Sequence, residues 1–269
     1  MADNLRLMIV AAHPDDESLG FGGVLAKYAA QGVETYLITA TRGEHGWWGD
    51  AKDYPGPGEL GRIREAELLA AAQALGLRDV LFLDYIDGEL DRASPAEAVA
   101  KIVGHLRRIR PHIVLTFDPP GAYGHPDHIA ICQFTTAAVV CAADPSYADS
   151  SAGPHRVAKL YYRVGTQGFY AAYQSVFGDI TMHIDGVDRR STPWPEWAIT
   201  TRIDTADQWP VVWKAVTCHR SQLPGYSRLE HLPEAHHRNL WGTQDYYRAY
   251  STVNGGRAVE RDLFEGLRS

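Results

Sequence analysis

The sequence predicts an α/β fold built on a doubly wound, mostly parallel sheet with an elaborated C-terminal portion. Three observations predict it. Short apolar runs alternate with helical stretches over about the first 145 residues, glycines stop the helices, and polar motifs sit where the apolar runs end.

Residues 7–12 form a continuous apolar run ending in His13-Pro14-Asp15-Asp16, as a buried parallel strand with a polar C-terminal end would. Across 18–31, Leu19, Val24, Leu25, Tyr28 and Ala29 recur at helical spacing, with Gly32 as the stop. Residues 33–41 return to strand character and end in Thr41-Arg42-Gly43-Glu44, and the Gly-, Pro- and Trp-rich stretch 44–58 is a loop. An Ala/Leu/Glu-rich helix over 60–75 is closed by Gly76. A strand at 80–83, a helix at 95–109, a strand at 113–117 and an apolar helix carrying Cys132 and Cys141 follow. Right-handed crossovers place the strand C-termini on one edge, where ligands of such Rossmann-like sheets bind. After Asp144 come a strand at 157–164, a mixed region at 165–198, a helix-like stretch at 206–219 and a polar, aromatic tail. No linker-like composition divides the halves, so residues 1–269 are expected to form a single domain.

Composition removes several classes of function. The 269 residues carry a formal charge of −7, without the basic stripe that nucleic-acid binding requires. The densest cationic cluster, His105 to Arg110, reads as a solvated helix end. Three cysteines, none in a CxxC pair, do not make a disulfide framework. No apolar run approaches the roughly 20 residues of a membrane span. The N-terminus enters the first strand with no room for a signal peptide, so a cytoplasmic protein with no membrane partner is expected. Gly20-Phe21-Gly22-Gly23 departs from a dinucleotide fingerprint and reads as close helix–sheet packing, and His231, His236 and His237 read as a solvated loop.

The chemistry is carried by Ala12-His13-Pro14-Asp15-Asp16-Glu17 after the first strand and Gly121-Ala122-Tyr123-Gly124-His125-Pro126-Asp127-His128 after the fourth. His13 and Asp16 flank a turn fixed by Pro14, and His128 approaches from the second segment. The three together offer N/O ligands and an open fourth position, as a catalytic zinc site requires. Asp15 stays outside the ligand set, free to take a proton from water. His125, three residues before His128, faces the pocket, where a protonated imidazole would neutralise an oxyanion and protonate a leaving amine.

These paired motifs resemble the LmbE-like, PIG-L-like family of zinc de-N-acetylases, which includes deacetylases of glycosylphosphatidylinositol, mycothiol and bacillithiol biosynthesis and chitobiose deacetylases. Thr41-Arg42-Gly43-Glu44 and the stretch from Lys214 to Gln222 resemble further family segments, so the likeness spans most of the chain. It implies a zinc-dependent hydrolase that removes an N-acetyl or other acyl group from an amino sugar such as an N-acetylglucosamine conjugate. Zinc would sit on His13, Asp16 and His128, a donor set that would also hold ferrous iron in the cell. Asp15 would be the general base, His125 the acid or oxyanion partner oriented by Asp127, and Tyr123 would lie near the oxyanion. Arg42 would grip substrate or sit in a surface salt bridge, and Glu17 would bond substrate hydroxyls or favour the N-terminus of the following helix. Asp87 would bind the sugar, with Asp84 its rival; Trp47 and Trp48 would stack on a sugar or form a lid that only packs. Relatives are often homo-oligomers, but no interface is legible in the residues. Two other readings remain at this point: an amidase acting on thiol S-conjugates, and a metal-free sugar- or nucleotide-binding module.

Overall fold

A computed structural model, which describes residues 4–147, 152–178, 181–184 and 186–268, is organised around a seven-stranded sheet. Strands β1 (Arg6–Ala11), β2 (Glu34–Thr39), β3 (Asp79–Phe82), β4 (Ile113–Phe117) and β5 (Lys159–Val164) are parallel. Leu7 through Ala12 are fully buried, because helices cover both faces of β1 and leave no solvent side for alternation to mark. Strands β8 (Thr201–Asp204) and β9 (Thr243–Ser251) extend the sheet in antiparallel pairing, giving the order β3-β2-β1-β4-β5-β9-β8. The one-edge rule therefore holds for the five parallel strands. A hairpin, β6 (Thr181–Ile184) with β7 (Val187–Arg190), stands apart from the sheet.

β1 and β4 are neighbours, paired from Leu7↔Ile113 to Ile9↔Leu115, and the chain leaves them toward opposite edges of the sheet. That reversal opens a crevice at their C-terminal ends. Both polar motifs lie there.

The helix expected over 18–31 is two, α1 (Asp16–Leu19) and α2 (Gly22–Ala30). They part because the Gly20 carbonyl turns out of the helix to accept hydrogen bonds from Arg163 and Gln244. The glycines at the start of α2 serve a contact other than the expected one with the sheet. A Cβ on Gly23 would lie 2.8 Å from Thr205, and one on Gly22 3.2 Å from Val212. They let the C-terminal portion, not the sheet, approach closely.

Helix α3 (Pro57–Leu75) begins earlier than expected, with Pro57 suited to a first helical turn. The helix α4 (Pro95–Ile109) has the expected bounds, but its cationic end is not all solvated. Arg107 is buried and donates to the carbonyls of Ala142 and Asp144, at the C-terminus of the helix Pro126–Ala143, where a cation is favoured. His236 and His237 also depart from the loop reading. They lie in the helix Glu234–Trp241, and His237 is buried against Trp209, Trp213 and Trp241.

The C-terminal segment is tied down by Glu260, which accepts from the buried Lys159 ammonium at 2.7 Å and from Tyr161, Thr201 and Asn254. Burial alone would raise its pKa, but these donors hold it at about 2. Among the described residues, no helix is long and apolar enough to cross a membrane.

Candidate active site

The two sequence motifs meet. His13 Nδ1 lies 3.3 Å from His128 Nε2, His128 Nε2 lies 3.4 Å from Asp16 Oδ1, and His13 Nδ1 lies 3.8 Å from Asp16 Oδ2. Ligand bonds of about 2.0–2.1 Å to a tetrahedral zinc would separate donor atoms by roughly 3.3–3.4 Å. The first two separations match that spacing, the His13–Asp16 approach is longer and made by the other carboxylate oxygen, and the donor set of two imidazoles and a carboxylate fits zinc.

Local structure sets each of them. Asp16 opens α1, and its Oδ2 accepts from the backbone N–H groups of Ala12 and His13. The helix α6 (Pro126–Ala143) follows a kinked four-residue turn, α5 (Gly121–Gly124), and starts with Pro126 after the N-cap His125. His128 falls in its first turn, buried and stacked on Phe117 with ring centroids 3.8 Å apart. Burial alone would raise Asp16, yet His128 and His13 hold it well below the carboxylate range.

Behind His13 stand two further carboxylates. Its Nε2–H lies 3.1 Å from Asp127 Oδ2 and 3.2 Å from Asp87 Oδ1, which leaves Nδ1 as the donor facing Asp16 and His128. Burial opposes a charge on His13, but Asp127, Asp87 and Asp16 outweigh it and hold the imidazole well above its usual pKa. A surrounding so negative favours a cation. Asp87, expected at the sugar, has a buried carboxylate held against His13 and the backbone N–H of His45.

Asp127 also differs from its expected part. Its carboxylate accepts from His13, Gly88 N–H and Leu90 N–H, and only its backbone N–H reaches His125. Asp127→Asn would turn an amide N–H₂ toward one of these donors, since only a carboxylate accepts everywhere. Metal affinity, read by competition with a chelator, should fall about 10- to 100-fold. Unchanged affinity would remove Asp127 from this role.

His125 Nδ1 accepts the Asp127 N–H at 3.1 Å, so the ring proton sits on Nε2. Burial, with charge on His13 and His128, pushes its pKa down to about 3. The ring is therefore neutral at rest, an N–H donor and not the protonated imidazole expected. Tyr123 packs edge-on against His125 and His128, held by the turn at Ala122, whose φ is 61°. Asp118 stabilises that strained turn by accepting from Ala122 N–H at 2.8 Å.

Asp15 takes φ 105°, an uncommon backbone state that turns its side chain away from Asp16. Arg64 Nη2 lies 3.2 Å from Asp15 Oδ2, and the Tyr226 hydroxyl donates to the same oxygen at 2.8 Å. Burial raises the Asp15 pKa, with Arg64 opposing and Asp16 and Glu17 adding to it, which suits a base. Arg64 is buried and also donates to the carbonyls of Pro14 and Gly43. Gly43, at φ 66°, must be glycine, because a Cβ would lie 2.3 Å from Arg64 Nη1.

Glu17 is fully buried. Its carboxylate accepts from Ser18, from the Asp15 N–H and, at 2.7 Å, from His219. Arg42 is likewise committed, with Nε on Glu65 and Nη1 on Asp84, while its guanidinium lies 4.7 Å from the Phe82 ring. Trp48 is 59% exposed and lies over Gly225, and Trp47 packs against Tyr54.

Arg64 and Tyr226 escaped the sequence reading, and His219 entered it only as part of the stretch from Lys214 to Gln222, with no role. Arg64 left a trace: it shares a helical stripe with Leu60, Leu68, Ala71 and Leu75, a lone charge on the apolar face of α3.

Known proteins similar to this chain point to one family. A family model described as PIG-L, GlcNAc-PI de-N-acetylase, matches residues 8–139. A 1D-myo-inositol 2-acetamido-2-deoxy-alpha-D-glucopyranoside deacetylase of Rhodococcus erythropolis is 41% identical, with 98% of each chain covered. A mycothiol S-conjugate amidase of Streptomyces coelicolor is 30% identical, covering 100% of this chain and 99% of its own. Among solved structures, the conserved protein TT1542 from Thermus thermophilus superposes with a TM-score of 0.67 at 26% identity, covering 93% of this chain and 97% of that one.

Proposed function

The chain belongs to the PIG-L family of GlcNAc-PI de-N-acetylases, whose relatives hydrolyse amide bonds, and on that premise we propose that it removes the N-acetyl group from an N-acetylglucosamine conjugate. The observation that carries the proposal is the convergence of His13, Asp16 and His128 with the spacing of a metal site, next in sequence to a carboxylate, Asp15, held by Arg64 and Tyr226. Zinc held by these three residues supplies Lewis acidity toward the acyl carbonyl and toward water; ferrous iron suits the same donors.

The chain's own groups do the rest. Asp15 accepts the proton of the attacking water as the C–O bond forms, and that proton passes to the nitrogen as the C–N bond breaks. The Nε2–H of His125 and the hydroxyl of Tyr123 donate to the developing oxyanion. Negative charge there raises the pKa of His125 only when it is needed. Asp127 and Asp87 keep the His13 proton on Nε2. Carboxylate and free amine are the products.

A second reading, hydrolysis of a thiol S-conjugate, is supported by the full-length match to the mycothiol amidase and by Trp48. The exposed Trp48 ring covers Gly225, next in sequence to the Asp15-bound Tyr226, and offers apolar surface to a bulky substituent. Zinc-loaded protein should release free amine from 1D-myo-inositol 2-acetamido-2-deoxy-alpha-D-glucopyranoside, lose the activity to a chelator and regain it with zinc. Faster release from an S-conjugate of mycothiol would favour the second reading. Silence on both would defeat the proposal.

A further inference from the structure

The family model ends at residue 139, yet a hydroxyl from the helix Leu223–Glu230 reaches the centre of the site. Tyr226 lies 211 residues along the chain from Asp15 and donates to its Oδ2 at 2.8 Å. Arg64 meets the same oxygen at 3.2 Å from the other side of the sequence. Two donors on one oxygen fix the rotation of a carboxylate and leave its other oxygen to the reaction. The backbone is held as well, because the Asp15 N–H donates to Glu17, itself anchored by the buried His219. The C-terminal portion thus reaches the base directly through Tyr226 and, by way of Glu17, through His219.

We propose that Tyr226 is a positioning residue for the reaction: with Arg64 it holds Oδ2 of Asp15, so that Oδ1 is the oxygen that takes the proton from water. Tyr226 makes no contact with the three ligand side chains through its hydroxyl, so its loss spares the metal. The inference rests on the function proposed above for Asp15, and its test separates the two.

Tyr226→Phe retains the ring and removes only the hydroxyl. Turnover should fall about 10- to 100-fold at an essentially unchanged KM, as for other outer-shell donors. Metal content and Tm should match the parent. A crystal structure of the variant should show the Asp15 carboxylate rotated or in two orientations, an observation independent of activity. Unchanged kcat with Asp15 in its parent orientation overturns the proposal. A rise in KM at constant kcat overturns it too, by making Tyr226 a substrate contact, and so does a loss of metal or of stability in step with activity. If the parent protein hydrolysed no amide at all, the functional reading would fail, while the orientation of Asp15 in the variant would still decide the clamp.

Discussion

His128→Ala is expected to lose the metal and amide hydrolysis together. The imidazole is the shared corner of the donor triangle, 3.3 Å from His13 Nδ1 and 3.4 Å from Asp16 Oδ1. Two ligands cannot hold a catalytic zinc that normally takes three from the protein. Metal content should drop from about one per chain to below roughly a tenth, and turnover by on the order of 10³ or more. Loss of a buried ring stacked on Phe117 should also cost about 2–4 kcal/mol of stability, so Tm must be recorded alongside. His125→Ala is the informative contrast. Its Nδ1 is occupied by a backbone N–H, and the metal should stay in place. A His128→Ala protein that is folded, zinc-replete and active would dismantle the site as described.

Asp15→Asn is expected to keep the metal and lose turnover by about 10²–10⁴-fold, the usual share of a general base. Asparagine is the right probe for a structural reason. Asp15 adopts φ 105°, which asparagine tolerates better than alanine, so the loop should survive the change. The amide oxygen can still accept from Arg64 and Tyr226, so the side chain remains anchored. What disappears is the proton-accepting oxygen. Metal analysis and steady-state kinetics on the same preparation would check it, and retained turnover would assign the base elsewhere.

The substrate-binding expectations fare differently from the ligand ones, and for one reason. Glu17 closes the first motif, Arg42 and Asp87 follow later strands, and the resemblance is what points to them there. Their carboxylates and guanidinium prove to be taken by His219, by Glu65 with Asp84, and by His13 with His45. None of these pairings has a local signature. The glycines of α2 follow the same rule, since Thr205 and Val212, the residues that require them, arrive from the far end of the chain.

Sequence alone determined the parallel strands β1 to β4 and the placing of both polar motifs at their C-terminal ends. Each depends on short-range patterning, whereas the meeting of His128 with Asp16 and with His13, 115 residues away along the chain, is the work of the sheet. Tertiary structure alone decided which nitrogen of His13 faces its fellow ligands, which proton His125 carries, and which oxygen of Asp15 is held. Those answers come from hydrogen bonds to Asp127, Asp87, Arg64 and Tyr226. Hydrogen bonds form wherever folding brings donor to acceptor, and periodicity along a chain carries no record of such meetings.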